Sequence, residues 1–381
     1  MPEYLPYGRQ WVDEDDIAEV TAVLRGDYLT TGPAVAAFES SLEAFTGARH
    51  AVALNSGTSA LHAMYFAAGV GPGDEIITSP LTFAATANAA LYLGATVRFV
   101  DVEPDTGTLD PSLVEDAISD RTELVVPIDF AGHPADYDSI RAVAERHGIT
   151  VVADAAHSLG ASYRERPVGT LAHATALSFH PVKPVTTGEG GAVLTDDEQL
   201  ASRARTFRTH GIVKDPAHMR SPGEGGWWHE QHDLGFNYRL SDIHAALGTS
   251  QMRKLARFIE RRRAIAAAYD EAFAASPHLE LPGRRTDCAP GWHLYVIRPH
   301  DPALRGPLYE RLINSGIGVQ VHYLPVYWHP YYADLGYVRG LCPVAEEFYL
   351  RALSLPLFPL MRDEDVERVV DTVRAALADL T

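Results

Sequence analysis

The chain has 381 residues, 46% hydrophobic and 22% charged, which are the proportions of a globular protein with material for two domains or one large α/β unit. Its formal net charge of -18 excludes general binding to nucleic acid or to an anionic membrane surface, since both need a basic face. The two cysteines, Cys288 and Cys342, offer neither a disulfide framework nor a metal-ligand spacing, so a reducing, cytoplasmic setting is expected.

The start, Met1-Pro2-Glu3-Tyr4, lacks the basic and apolar regions of a signal peptide, and no apolar run reaches transmembrane length. A first helix is predicted over 13–25, opened by acidic residues suited to its N-terminus. Residues 27–33 read as turns. From about residue 50, short apolar runs alternate with helical patterns. Strands are expected at 51–54, 75–78, 96–100, 124–128 and 150–153, with helices at 59–68, 86–93, 111–118 and 139–147. Such alternation implies a largely parallel sheet with helices on both faces. Strands at 175–179 and 192–194 extend it. Residues 211–232 hold Gly, Pro, His and the pair Trp227-Trp228 without a period, and read as a long loop. One long helix is predicted from Asp242 to about Phe273. It would join a large domain, 1–250, to a smaller C-terminal one, 251–381. There is no internal repeat.

Only three lysines occur, Lys183, Lys214 and Lys254, so an amine that captures carbonyls has few possible places. Lys183 closes the run Ser178-Phe179-His180-Pro181-Val182-Lys183 at the exit of a predicted strand, where pocket residues gather. A solvated surface lysine is the plain alternative. Asp154 follows Thr150-Val151-Val152-Ala153, at the strand edge where open α/β sheets bind ligands. A carboxylate there can hold a pyridinium nitrogen protonated, or simply cap a helix. His157, three residues on, can bond a ring hydroxyl or serve the fold. Asn55-Ser56-Gly57-Thr58-Ser59 joins a strand to a helix and suits a phosphate or an ordinary N-cap. Phe83, just past another strand, can stack on a planar ring or fill the core. Gly188-Glu189-Gly190-Gly191 precedes a strand and lacks the ending of a P-loop. The histidine pairs His173/His180 and His322/His329 do not match zinc spacings, so no metal is expected.

Taken together and in order, Asn55 to Ser59, Thr82-Phe83, Asp154 to His157, Ser178 to Lys183 with Thr186 to Gly191, and Gly235-Phe236-Asn237-Tyr238-Arg239 resemble the DegT/DnrJ/EryC1/StrS family of sugar aminotransferases. The likeness spans nearly the whole chain. Ser178 to Thr187 and Gly318 to Val326 carry a narrower resemblance, to the family members that aminate UDP-4-keto-6-deoxy-N-acetylhexosamines in pseudaminic acid synthesis.

The resemblance implies an α/β protein of pyridoxal-phosphate fold type I, aspartate aminotransferase-like, with a mostly parallel mixed sheet and a smaller α/β C-terminal domain. It implies that Lys183 forms the Schiff base with pyridoxal 5'-phosphate, that Asp154 pairs with the pyridine nitrogen, that His157 contacts the ring hydroxyl and that Phe83 stacks on the ring. Ser56, Gly57, Thr58 and Ser178 would hold the phosphate. Asn237 would reach the phosphate in a neighbouring subunit, giving a homodimer with shared active sites. Tyr7, Thr30, Trp227, His322 and Tyr323 would line the sugar pocket. L-Glutamate would donate the amine, leaving pyridoxamine phosphate, and a nucleotide-linked 4-keto sugar would accept it in ping-pong order. Dehydratase relatives carry histidine at the lysine position, so Lys183 favours transamination. Trp227-Trp228-His229 and Trp328 depart from the pattern where the nucleotide sugar should dock. A dTDP-keto sugar or keto-cyclitol acceptor stays open, as does a non-catalytic pyridoxal-phosphate-binding sensor or scaffold. A nicotinamide-dependent oxidoreductase is rejected, because no Gly-x-Gly-x-x-Gly turn follows the first strand.

Overall fold

A computed structural model describes residues 4–221 and 223–381. Seven strands form the central sheet: β1 (His50–Leu54), β2 (Glu75–Thr78), β3 (Thr96–Phe99), β4 (Thr122–Val126), β5 (Thr150–Asp154), β6 (Ala174–Ser178) and β7 (Gly191–Thr195). Their order is β1-β7-β6-β5-β4-β2-β3. β7 runs antiparallel to both its neighbours, and the other pairings are parallel. The expected mixed, mostly parallel sheet is therefore what forms.

The strands read as nearly continuous apolar runs because both faces are covered. Val52, Ile76, Val126, Val152, Ala176 and Val193 point into one core, with the Gly57–Ala67, Ala85–Tyr92 and Glu198–Phe207 helices. Their chain neighbours Ala53, Ile77, Val125, Ala153, Leu177 and Ala192 point into the other, under the Pro33–Thr46 and Tyr137–Arg146 helices. Successive residues alternate between the two cores, as strand geometry requires. A third core lies around a small sheet made of Leu279–Glu280, Tyr295–Pro299 and Leu353–Leu355, packed by Ile265, Tyr269, Leu308, Leu312, Val369 and Val373. Leu5 also packs there, and its N–H and carbonyl bond Gly316 and Gly318.

Two expectations need correction. The single helix from Asp242 to Phe273 is two, Asp242–Met252 and Leu255–Phe273, broken at Arg253-Lys254. The break turns the Lys254 amine back onto Asp13 and Asp16, while Gln251 bonds the Trp11 carbonyl at 2.8 Å and Asp16 at 2.9 Å. The first half thus anchors the N-terminal helix and the second reaches into the third core. Within 211–232, Ile212–Val213 pairs antiparallel with Glu230–Gln231, so much of that stretch is a closed excursion. The Glu230 carboxylate ties it, accepting the Arg220 and Ser221 N–H groups at 2.7 and 2.9 Å. Among the described residues no helix is long and apolar enough to cross a membrane.

Candidate active site

The parallel strands end at one edge of the sheet, and the chemistry-bearing residues stand along it. Asp154 is the last residue of β5 and Ser178 the last of β6. Asn55 follows β1, Phe83 follows β2, and Lys183 sits in the turn after β6, its N–H bonding the His180 carbonyl at 2.9 Å. This is the edge where open α/β folds bind ligands.

Asp154 is buried and has two donors. The Thr86 hydroxyl donates to Oδ2 at 2.6 Å, and the Ala156 N–H to Oδ1 at 3.1 Å. Burial pushes its carboxyl above the usual range, while Thr86, Ala156 and the nearby Lys183 amine oppose that rise. Each oxygen keeps a lone pair for one more donor. Lys183 Nζ lies 3.4 Å from His293 Nε2. Burial lowers its amine to about 7; the Asp154 carboxylate works against the fall and the Arg262 guanidinium adds to it. A neutral amine at physiological pH is the form that attacks a carbonyl.

Three histidines surround this pair. His157 and His293 lie with ring centroids 4.4 Å apart, and His157 Nε2 meets the Tyr323 hydroxyl at 3.0 Å. His322 Nδ1 meets the Ser354 hydroxyl at 2.8 Å, and its ring lies 5.6 Å from that of Tyr7. Burial, then the charge of Lys183, holds all three well below the ordinary imidazole value, His322 at about 3. They are neutral polar walls. Among the described residues, the buried Nδ1 atoms of His157 and His293 find no partner.

The phosphate candidates form a second cluster. Ser56 caps the Gly57–Ala67 helix through a reciprocal pair with Ser59. The N–H groups of Gly57 and Thr58 open that helix and have no carbonyl four residues back inside it. Ser178 lies so close that a Cβ on Gly57 would come within 2.9 Å of its Cβ. Glycine at 57 is what lets helix start and β6 end meet.

The sequence-predicted residues therefore divide. Lys183, Asp154, His157, His322, Tyr323 and Tyr7 converge, and Ser56, Gly57, Thr58 and Ser178 converge beside β1 and β6. Phe83 stands one turn before Thr86 with 65% of its surface exposed. Asn237 is exposed; its carbonyl accepts from Asn55 Nδ2 at 3.3 Å. Thr30 and Trp227 are not drawn into the cluster. Thr30 is exposed and bridges Ser241, and Trp227 stands 75% exposed in the 211–232 excursion. Reasoning from sequence missed Thr86, His293 and Arg262. Arg262 had a signal. It falls on the buried stripe Leu255, Phe258, Ile259, Ile265, Ala266, Tyr269 of its helix, where a charge is out of place.

The model of the DegT/DnrJ/EryC1/StrS aminotransferase family matches residues 10–374. The chain belongs to this family. It is 42% identical over 377 residues to the Bacillus subtilis spore coat polysaccharide biosynthesis protein SpsC, covering 97% of this chain and 96% of that protein. It is 39% identical over 379 residues to the UDP-4-amino-4,6-dideoxy-N-acetyl-beta-L-altrosamine transaminase of Campylobacter jejuni, covering 98% and 97%. Among solved structures, Helicobacter pylori PseC, an aminotransferase involved in the biosynthesis of pseudoaminic acid, superposes with a TM-score of 0.93 at 33% identity, covering 99% of this chain and all of that one. The fold is thus that of the pyridoxal-phosphate sugar aminotransferases, and the chain is an aminotransferase with pyridoxal phosphate as cofactor.

The residues present fit that group. A buried carboxylate with free lone pairs suits a ring N–H. The orphaned His157 Nδ1 lacks a partner that a ring hydroxyl would supply. The opening of the Gly57–Ala67 helix offers N–H groups to a phosphate.

Proposed function

We propose that this sugar aminotransferase moves the amino group of L-glutamate to the C4 keto group of a nucleotide-linked 4-keto-6-deoxy sugar, of the UDP-4-keto-6-deoxy-N-acetyl-L-altrosamine type found in pseudaminic acid synthesis. The observation that carries the reading is the convergence of a lysine amine, lowered to about 7, and a buried carboxylate at one sheet edge, Lys183 and Asp154. The C. jejuni and H. pylori relatives supply the sugar class.

When bound, pyridoxal phosphate supplies an aldehyde that condenses with amines and a ring that draws off electrons. Lys183 would anchor the aldehyde and Asp154 would keep the ring nitrogen protonated. His157 would bond the ring hydroxyl, Phe83 would stack on the ring, and Ser56, Gly57, Thr58 and Ser178 would hold the phosphate. Once displaced by the incoming amine, Lys183 Nζ would take the proton from the donor α-carbon and deliver it to the carbon that was the cofactor's aldehyde, acting as base and then acid. Tyr7, His322 and Tyr323 line the space for the sugar. Thr30, Trp227 and Asn237 complete a neighbouring subunit's site in a homodimer, and their exposure together with that of Phe83 and Leu234 supports this. The separate third core supports a division of the chain near residue 250, with Leu5 riding on the smaller unit. The free Cys288 and Cys342 suit a cytoplasmic setting.

The test is the absorbance of the Schiff base, read before and after L-glutamate and then after the UDP-4-keto sugar. Loss with glutamate and return with the sugar is expected. Loss without return moves the acceptor to a dTDP sugar or a cyclitol. Absence of the band after added pyridoxal phosphate would remove the reading of Lys183.

A further inference from the structure

Arg262 is almost wholly buried, at 1% exposure, and no carboxylate among the described residues pairs with it. A buried guanidinium is ordinarily matched by an acid, because taking the charge out of water costs several kcal/mol. Here only carbonyl dipoles meet it. Nη1 donates to the carbonyls of Leu357 at 3.0 Å, Trp292 at 3.1 Å and His293 at 3.4 Å, and Nη2 reaches that of Val182 at 3.5 Å. Nε has no partner. Two of these carbonyls belong to site segments. Val182 precedes Lys183, and His293 is the residue whose ring meets the Lys183 amine. One side chain thus ties together the chain segments on both sides of the Lys183–His293 contact and sets an unneutralised positive charge beside it.

We propose that Arg262 is a positioning residue for Lys183, holding the Val182 and His293 segments together and setting an uncompensated positive charge near the lysine amine, where it adds to the effect of burial. The proposal deepens the reading of Lys183 given above and rests on it. The groups that face the amine are Asp154 from β5, His157 from the turn after it, Arg262 from the Leu255–Phe273 helix, His293, and His322. The histidines are held neutral by burial, and Asp154 favours the charged amine. That leaves Arg262 as the one fixed positive charge among them. A cation in its place favours loss of the lysine proton without any acid or base having to titrate. A carboxylate partner would cancel that field, which accounts for a buried arginine matched by dipoles alone.

The scarcity of lysines makes a direct test possible on the full-length chain freed of cofactor. Trace acetic anhydride acetylates neutral amines, and mass spectrometry resolves Lys183 from Lys214 and Lys254. The extent of labelling is followed against pH. In the unaltered chain the Lys183 midpoint is expected near 7. In Arg262→Gln it should rise by roughly one pH unit, the order expected for one charge at close range in a partly buried site. Arg262→Lys, which keeps the charge and loses the fork, should bring the midpoint back, while the Lys214 curve stays fixed in all three. A merely structural arginine would give Gln and Lys variants the same curve. Should Arg262→Gln fail to fold by near-ultraviolet circular dichroism, Arg262→Met carries the comparison, since an apolar chain of similar length is often tolerated where a buried ion stood. A folded neutral variant with the unaltered midpoint overturns the proposal. A chain that shows the low midpoint and the Gln shift, yet forms no Schiff base with pyridoxal phosphate, sinks the cofactor role of Lys183 and leaves the Arg262 effect standing.

Discussion

Thr86 donates its hydroxyl to Asp154 Oδ2 at 2.6 Å, joining the helix after Phe83 to the end of β5. That hydroxyl has one proton, so the 2.8 Å contact between Thr86 and Thr82 must have Thr82 as its donor. The two threonines form a short chain of hydrogen bonds aimed at the carboxylate. Burial pushes the Asp154 carboxyl up, and the chain opposes that rise by favouring its ionised form. Thr86→Val keeps the shape and removes the donor. A hydrogen bond to a charged group is worth about 1.5–3 kcal/mol, so cofactor affinity should fall by roughly tenfold or more. Tightness of pyridoxal-phosphate binding, measured by fluorescence titration at pH 6 and pH 8, checks this. The loss should be greater at pH 6, where a carboxyl raised further is protonated first.

Lys183→Ala should abolish turnover and the Schiff-base absorbance while leaving the fold intact. Lys183 belongs to the turn after β6, and among the described residues its side chain makes one polar contact, to His293. Asp154→Asn should cut turnover by about a hundredfold or more, on the scale of losing an electrostatic partner in a closed site, with a smaller loss of cofactor binding. Turnover retained by the first variant, or near-normal in the second, counts against the roles given to these residues.

Much of this arrangement is legible in the sequence because it depends on short range. Strand ends are marked by apolar runs, and Asp154, Ser178 and Lys183 sit where such runs stop. What escapes is set by partners distant in the chain. The Pro33–Thr46 helix goes unread, although Pro33 lies in its first turn and Phe38, Leu42 and Thr46 are buried at every fourth position. Its cap is hidden in the sequence. The Asp242 carboxylate accepts the Gly32 and Ala34 N–H groups, both at 2.9 Å, from the start of another helix. The break at Arg253-Lys254 is hidden for the same reason, since Asp13 and Asp16 hold Lys254 from the far end of the chain. His293 lies in Gly291-Trp292-His293-Leu294-Tyr295, an apolar setting that says nothing of Lys183. Thr30 and Trp227 came from likeness alone, and they stand away from the cluster.

Asp129 gives a pH dependence of known sign. It is fully buried beneath the site. Its carboxylate accepts from Ser158 Oγ at 2.5 Å, Tyr137 Oη at 2.9 Å and the Ala135 N–H at 3.0 Å. Burial outweighs these donors and raises it to about 6. A carboxyl whose folded value lies above its unfolded one binds protons more readily in the native state. Its contribution is therefore fully present below about 4 and is lost as pH rises through about 6. A shift of that size is worth roughly 3 kcal/mol. Asn at 129 keeps a carbonyl for Ala135 and Tyr137 and offers an N–H to Ser158. Asp129→Asn should flatten the loss of stability between pH 4 and pH 7, measured as urea midpoints of the two proteins. Parallel profiles for both would show that Asp129 does not titrate in that window.

The outer edge of β1 makes the last prediction. An edge strand exposes unpaired N–H and C=O groups, a template for unwanted pairing. Here side chains take the place of a neighbouring strand. Glu43 accepts the Ala51 N–H at 2.9 Å and Glu39 the Ala53 N–H at 2.8 Å. Arg205 donates to the Ala51 carbonyl at 3.3 Å and Arg208 to that of Ala53 at 2.6 Å. Glu39 and Arg208 also pair at 2.6 Å, with both side chains mostly buried. Glu39→Ala leaves a backbone donor and a guanidinium without their partner, so a loss of about 2–4 kcal/mol is expected. Glu39→Gln keeps the acceptor for Ala53 and should lose less. The double variant Glu39→Ala/Arg208→Ala should lose less than the sum of the single ones, because the orphaned charge is gone. Since β1 leads directly into Asn55 and Ser56, the same substitution should loosen the phosphate turn and weaken pyridoxal-phosphate binding without touching it. Urea unfolding and cofactor titration on these variants and on Arg208→Ala alone separate the effects. Additive losses in stability would mean that the two side chains act on the strand independently, and the edge would then be guarded by each residue alone.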